Sequence, residues 1–539
     1  MKISYRERLK LLGGAAAFAG ARGAGLLPAL GLSSIAVAAD GTKTLRCVVI
    51  PEPTTLVTAF NTAIMVQQVS PKMLEGLVVY DKKFQPQPSL ATEWSIAADG
   101  LSITFKLRPN VQWHDGKPFT SADVKYTFEQ ILKQHHPRGR ATFANLESVE
   151  TPDALTAVMK LSKPSAYIMA ALSASESPIL PKHLYEGTEP PKNPQVNAPI
   201  GTGPFKFVEW QRGNYIRLDK NPNYWMPGKP ELDSIIIRFM PDAGARAAAF
   251  EAKELHVGGT DPVSLSDISR LKALPELDVT TEGYAMCGAM YYFEFNMRDP
   301  QFQDVRVRQA IAHAIDRNFV AKNVWFGYAS PATGPISQKL ERFYNPKVPS
   351  YPFDIAKAQK LLDEAGFPRK AGGVRFKITH DPSTYTEQYR RFAEYFRQAM
   401  RMIGIEVELQ TSDAATFSRR IWTDNVYQTA SYGIFNLPDP TIGVQRLWWS
   451  KNIRKGVPYS NGSGYSNPEM DRLLEAAQVE PDAAKRKALF DQMQVLAMTD
   501  LSIIPILNID YTTVYNTRVK GLTDDLEGVF GSFANVKIV

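Results

Sequence analysis

This chain has one long apolar run, and it stands at the very beginning. Lys2, Arg6, Arg8 and Lys10 form a basic start, an Ala/Gly/Leu-rich stretch follows, and small residues close it at Ala36-Val37-Ala38-Ala39. That order is the pattern of a cleavable export signal, with cleavage expected after Ala38 or Ala39. Arg22 and Pro28 interrupt the stretch, which disfavours a membrane span of about 20 residues. Arg6-Glu7-Arg8 splits its two arginines, so general and twin-arginine export both stay open. With no cysteine beside the cleavage site to take a lipid, a soluble periplasmic protein is expected. About 500 of the 539 residues remain, more than one hydrophobic core normally spans, so two or three domains are expected.

Composition narrows the class. At 44% hydrophobic and 22% charged the chain is an ordinary globular one, which excludes disorder and a polytopic membrane fold. The net charge of +7 falls to +3 once the five basic and one acidic side chains of residues 1–39 are set aside. That is too weak and dispersed to point to nucleic acid. Cys47 and Cys287 are either one disulfide closing a long loop or two buried thiols. His135-His136, before Pro137, reads as a polar loop, and no HExxH or CxxC metal motif is present. A G-x-S-x-G elbow, a P-loop and a G-x-G-x-x-G turn are also missing. No metal, cofactor or catalytic residue is expected.

Periodicity predicts strands at 45–50, 102–107, 234–239 and 503–509. Helices are predicted at 121–132 behind Thr120, at 304–316 behind Asp304, at 354–365 before Gly366, and around 468–477 and 483–496. The class is α/β or α+β with mixed sheets.

Several ordered blocks then narrow the family. They are Glu75-Gly76-Leu77, Ala91-Thr92-Glu93-Trp94-Ser95, residues 101–108, Trp113-His114-Asp115-Gly116-Lys117-Pro118-Phe119-Thr120 and Gly201-Thr202-Gly203-Pro204-Phe205. Asn221-Pro222-Asn223-Tyr224-Trp225, Phe295-Asn296, residues 304–310, residues 361–367 and Pro438-Asp439-Pro440 follow in order. Together they resemble the periplasmic dipeptide, oligopeptide and nickel binding proteins of bacterial ABC importers, over nearly the whole mature chain. The resemblance implies two lobes closing on a hinge around a solute, with domain I at 40–75, 191–289 and 501–539. Domain II would be inserted at 76–190 and domain III would span 290–500. It also implies a monomer delivering its solute to a membrane permease driven by two cytoplasmic ATPases.

Most signature residues read as scaffold. Trp94, Trp113 and Phe119 are expected in packing, Gly201 and Gly203 at a strand start needing positive φ, and Arg306 and Arg308 in salt bridges with Asp304 and Asp316. The ligand site is expected on loops facing the interlobe cleft. The first candidate segment carries Tyr432, Ile434, Phe435, Asn436 and Asp439. The resemblance places Asn436 where peptide-binding relatives present a carboxylate to the ligand's amine; Asp439 reads equally as a turn residue. The second carries His380 and Tyr385, with no arginine before Arg390 where dipeptide-binding relatives hold the ligand carboxylate. The third joins Glu52 and Thr54 to Tyr284 from the hinge. The favoured solute is peptide-like, with an opine, a sugar-amine conjugate or a metal chelate as the alternative. A secreted hydrolase is the reading from another class, detectable as turnover of a chromogenic peptide or ester.

Overall fold

The computed structural model describes residues 43–539; the export-signal reading lies outside them. Three larger sheets organise the chain. A seven-stranded sheet runs in the order Leu277–Thr280, Thr513–Asn516, Val257–Gly258, Thr44–Val48, Ser234–Arg238, Tyr215–Lys220, Phe205–Gln211. Thr44–Val48 lies parallel to both of its neighbours and the other pairs are antiparallel. A four-stranded antiparallel sheet joins Ala91–Ile96, Ser102–Leu107, Thr156–Leu161 and Leu146–Asp153. A six-stranded mixed sheet runs Ala329–Pro331, Ile503–Ile509, Ala289–Phe295, Thr429–Phe435, Phe376–Pro382, Ile405–Leu409. The mixed α/β class expected from the sequence is the one observed.

The strands follow their residue patterns. In Ser102–Leu107, Ile103, Phe105 and Leu107 are buried while the alternate positions are not, as in a sheet with one wet face. Ala289–Phe295 and Ile503–Ile509 are buried at every position, so both are central strands covered on two faces. The strand Ile503–Ile509 pairs with residues 290–294, although the sequence reading grouped 501–539 with the first domain.

Helix caps also match the sequence. Asp304 and Asp354 accept from the backbone of the first turns of Val305–Ala314 and Ile355–Glu364. Thr120 and Asp123 form a capping box for Ser121–Tyr126. That helix does not run on as an α-helix to Leu132, because Thr127–Leu132 widens to π-helical turns. Arg306 pairs with Asp304 as expected. Arg308 does not form a salt bridge; it is buried, donating to the carbonyls of Phe302 and Asp500.

Several of the ordered sequence blocks meet at one buried carboxylate. Glu75 accepts from Thr202 Oγ1 and Tyr224 Oη, each at 2.8 Å, and from Trp225 Nε1 at 3.0 Å. Arg108 lies over the Trp225 ring, 4.0 Å from its centre. The glycines here serve close approach, not the positive φ expected of them. A Cβ on Gly201 would stand 1.8 Å from Met73 O, and one on Gly203 2.7 Å from the same atom. Trp113 and Phe119 are buried and meet edge-on at 6.0 Å.

The chain passes twice between the seven- and six-stranded sheets, through 281–288 and 510–512. Tyr284 fastens these passages: its hydroxyl accepts from Thr260 N at 2.8 Å and contacts Thr513 Oγ1 at 2.5 Å. Asp261 accepts from Thr512 N and Oγ1 at 2.8 and 2.9 Å.

Glu75→Ala strands three buried donors and opens a cavity. It should lower the unfolding free energy by about 3–5 kcal/mol, measured by urea denaturation at neutral pH; a loss under about 0.5 kcal/mol would contradict the role given to Glu75. A second carboxyl, Glu294, is buried between Tyr427 and Tyr432, whose hydroxyls donate to it at 2.5 Å. Burial pushes both Glu75 and Glu294 up to about 7, with their hydrogen bonds pulling back. Because the folded chain holds these protons more tightly, their contribution is complete below about pH 4.5 and is lost as pH rises through about 7. Glu294→Gln should flatten the decline of stability across that window by the share of up to one proton; an unchanged slope would refute the assignment.

Candidate functional site

The strand Thr429–Phe435 is the element from which the site is built. One edge pairs antiparallel with Ala289–Phe295 along its full length. The other pairs with Phe376–Pro382 at residues 429–431 only, and Ser383 N then donates to Ser431 O at 2.8 Å. Asn436 N donates to Gly288 O at 3.3 Å, so by alternation the backbone groups of Tyr432 and Ile434 point to the same neighbour. Those of Gly433 and Phe435 point the other way, past the end of the short parallel pairing. Gly433 N–H and C=O have no hydrogen-bond partner among the described residues. A sheet edge is therefore open here.

The surrounding wall is aromatic. Gly433 must be glycine because a Cβ would lie 1.9 Å from Tyr389 Oη. Tyr389 stacks on Tyr291 at 4.7 Å. Phe435 and Tyr284 meet Tyr511 at 6.2 and 5.7 Å between ring centres. Tyr385, at 55% exposure, stands in solvent.

The loop after this strand is rigidly held. Asn436 is fully buried; its Oδ1 accepts from Ser337 N at 2.6 Å and its Nδ2 donates to Tyr292 Oη at 3.2 Å. Asp439 caps Pro440–Gly443 by accepting from Thr441 N, and takes both arms of Arg486 at 2.6 and 2.7 Å. Burial opposes the Asp439 charge, but Arg486 outweighs it and holds the carboxyl below its ordinary range. Thus supported, Pro440–Gly443 packs against Gly139–Thr142 and Ala166–Ala171.

The other sequence candidates are placed apart from that edge or inside the core. His380 stacks on Phe293 at 5.2 Å, and its ring nitrogens meet Thr429 Oγ1 and Ser431 Oγ at 3.0 Å each. Burial pushes it down to about 3. Tyr432 and Ile434 are core residues of the opposite sheet face. Glu52 accepts from Trp210 Nε1 and Gly213 N, and Thr54 Oγ1 accepts from Asn61. The structure brings Phe435 and Tyr284 together around Tyr511, and does not bring Glu52 or Thr54 to them through any described contact.

Sequence reasoning missed the facing polar group. Arg138 forks onto Glu176 and donates to Thr62 Oγ1 at 2.9 Å. His136 is buried instead of lying in a polar loop, and burial, then Arg138, holds it well below its ordinary value. Arg446 lies near enough to feel both charges, Arg138 repelling it and Glu176 attracting it. The only sequence signal was position: Arg138 follows the noted His135-His136-Pro137, and Arg446 follows the noted Asp-Pro pair. Cys47 and Cys287 are free, buried thiols, each pushed up to about 12 by burial. Among the described residues no cluster of three or more His, Cys, Asp or Glu could hold a metal, and no helix is long and apolar enough to cross a membrane.

Comparison with known proteins decides the family. Residues 85–456, more than half of the chain, match bacterial extracellular solute-binding proteins, family 5 Middle. The chain belongs to that family. It is 32% identical over 438 residues to a Brucella ovis chain named as an ABC transporter peptide-binding protein, covering 78% of each. A periplasmic binding protein from Helicobacter pylori in complex with the peptide STSA superposes with a TM-score of 0.81 at 24% identity, covering 92% of this chain and 98% of that one. The protein AgaA of A. tumefaciens R10 in complex with agropinic acid gives 0.78 at 26%, covering 92% and 99%. This family-5 chain is a non-catalytic receptor, the substrate-binding protein of an ABC transporter, which sets the hydrolase reading aside.

Arg486→Met should cost this receptor about 3–5 kcal/mol of stability by leaving Asp439 buried without its partner. Chemical denaturation of the variant checks it, and a loss below about 1 kcal/mol would show that the pair does not hold the loop.

Proposed function

We propose that the chain is the periplasmic receptor of an ABC importer and captures a peptide-like solute whose backbone lies along Gly433–Phe435 as an added strand. The open edge of Thr429–Phe435 carries this reading, because unpaired N–H and C=O groups at a closing interface recognise extended backbone of any sequence. The aromatic wall of Phe435, Tyr389 and Tyr511 supplies apolar surface for side chains. Solute stabilises the closed arrangement by the difference in its affinity for closed and open forms.

The proposal includes export with cleavage near residues 38–39, a monomer, and a permease with two cytoplasmic ATPases as partner, with no nucleic acid and no cofactor. Domain I is proposed at 40–75, 191–289 and the end of the chain, domain II at 76–190, and domain III from 290. The pairing of Ile503–Ile509 with residues 290–294 favours moving the last boundary from 500 to after residue 509. Glu52, Thr54 and Tyr385 stay as proposed rim contacts.

A second reading, a non-peptide solute such as an opine, is favoured by one observation. Asn436, on the loop where a carboxylate would meet a peptide amine, spends its amide on Ser337 and Tyr292, and Asp439 is committed to Arg486. AgaA, with agropinic acid bound, is a 26% identical structure.

Native mass spectrometry of the exported chain separates the two readings. A ladder of co-purified peptides is the expected result, and backbone N-methylation of such a peptide should abolish its thermal stabilisation of the receptor. A single non-peptide mass would move the chain to the second reading.

A further inference from the structure

Arg446, like Arg342, has no carboxylate partner among the described residues. Arg138 is met by Glu176 and Arg486 by Asp439, whereas Arg446 donates only to neutral carbonyls, Nε to Gly443 O at 2.9 Å and Nη2 to Phe435 O at 3.3 Å. Its charged neighbours on the facing wall are Arg138, which repels it, and Glu176, already forked by Arg138. Burial and then Arg138 pull Arg446 down to about 10. The Tyr459 ring, 5.9 Å away, is its aromatic neighbour. Two arginines, one glutamate and a neutral His136 leave one positive charge unmatched at a half-buried position, which is costly without a counter-ion.

The location of that charge is informative. Arg446 grips the carbonyl of Phe435, the last backbone group on the open edge, so anything laid along Gly433–Phe435 runs toward the guanidinium. A second donor belongs to the Arg138–Glu176 cluster. His136 Nδ1 accepts from Arg138 N at 3.2 Å, which leaves the proton on Nε2. That atom is buried without a hydrogen-bond partner, 3.9 Å from Glu176.

We infer that Arg446 anchors a carboxylate of the captured solute at the Phe435 end of the open edge, with the three guanidinium N–H groups that the two carbonyls leave free. This rests on the receptor reading above and adds the ligand's charge class: an acid, held by an arginine from the 440s and not through an amine at Asn436. An extended peptide would place its C-terminal carboxylate there, and an N-carboxyalkyl amino acid one of its acid groups.

The test uses two probe pairs on the exported, ligand-stripped chain, with affinity read by calorimetry. One pair is a mixed tetrapeptide library as free acids and as C-terminal amides; the other is an N-carboxyalkyl amino acid and its methyl esters. In whichever pair binds, the acid form should bind roughly 10- to 100-fold tighter than the capped form. Arg446→Gln should erase that ratio and Arg446→Lys should restore part of it. Because Arg446→Gln also removes two bonds to carbonyls, the acid-to-capped ratio on the unaltered chain is decisive by itself. Equal affinity of acid and capped forms overturns the anchor even where peptides bind. Binding of the conjugate acids alone, with the ratio intact, overturns the peptide reading and keeps the anchor.

Discussion

A buried carboxylate has to be satisfied or it unfolds what surrounds it, and this chain commits three separate sequence blocks to one such group. Thr202, Tyr224 and Trp225 reach Glu75 from segments more than a hundred residues away in sequence. The glycines that let backbone close around Met73 and Leu172 complete the same joint. The recognisable residues are therefore spent on fixing how the first half of the chain folds against itself. The open backbone edge at Gly433 lies elsewhere, among residues with no motif around them.

The second constraint is the loop after Thr429–Phe435. It crosses from the six-stranded sheet to the facing segments, and the paired charges of Asp439 and Arg486 fix its course. A receptor needs an open edge, such as that at Gly433 and Phe435, to be unpaired in its own fold and yet protected from aggregation. Tyr284 and Asp261 tie together the two passages between the seven- and six-stranded sheets.

Much of the architecture was legible because strand and cap signals are local. Ser102–Leu107, Ile503–Ile509 and the Asp304 and Asp354 caps appear where alternation and capping chemistry place them. The site was far less legible. His380 and Tyr432 lie on two neighbouring strands, where alternation sends Tyr432 inward and sheet pairing buries His380. Nothing in a linear sequence shows that Ser337 and Tyr292 will occupy the Asn436 amide, since both contacts span about a hundred residues or more. Beyond its place after the Asp-Pro pair Arg446 carried no signal, because the lack of a carboxylate partner shows only in the folded chain.

The central claim is that Gly433 presents an unpaired backbone edge to the solute. Amide hydrogen exchange, resolved by residue and compared between the stripped receptor and the receptor with its co-purified solute, tests it most directly. The Tyr432 and Ile434 amides, paired within the sheet, should be protected in both states, while Gly433 should exchange quickly when stripped and become protected when solute is bound. Equal protection of Gly433 in the two states would contradict the account.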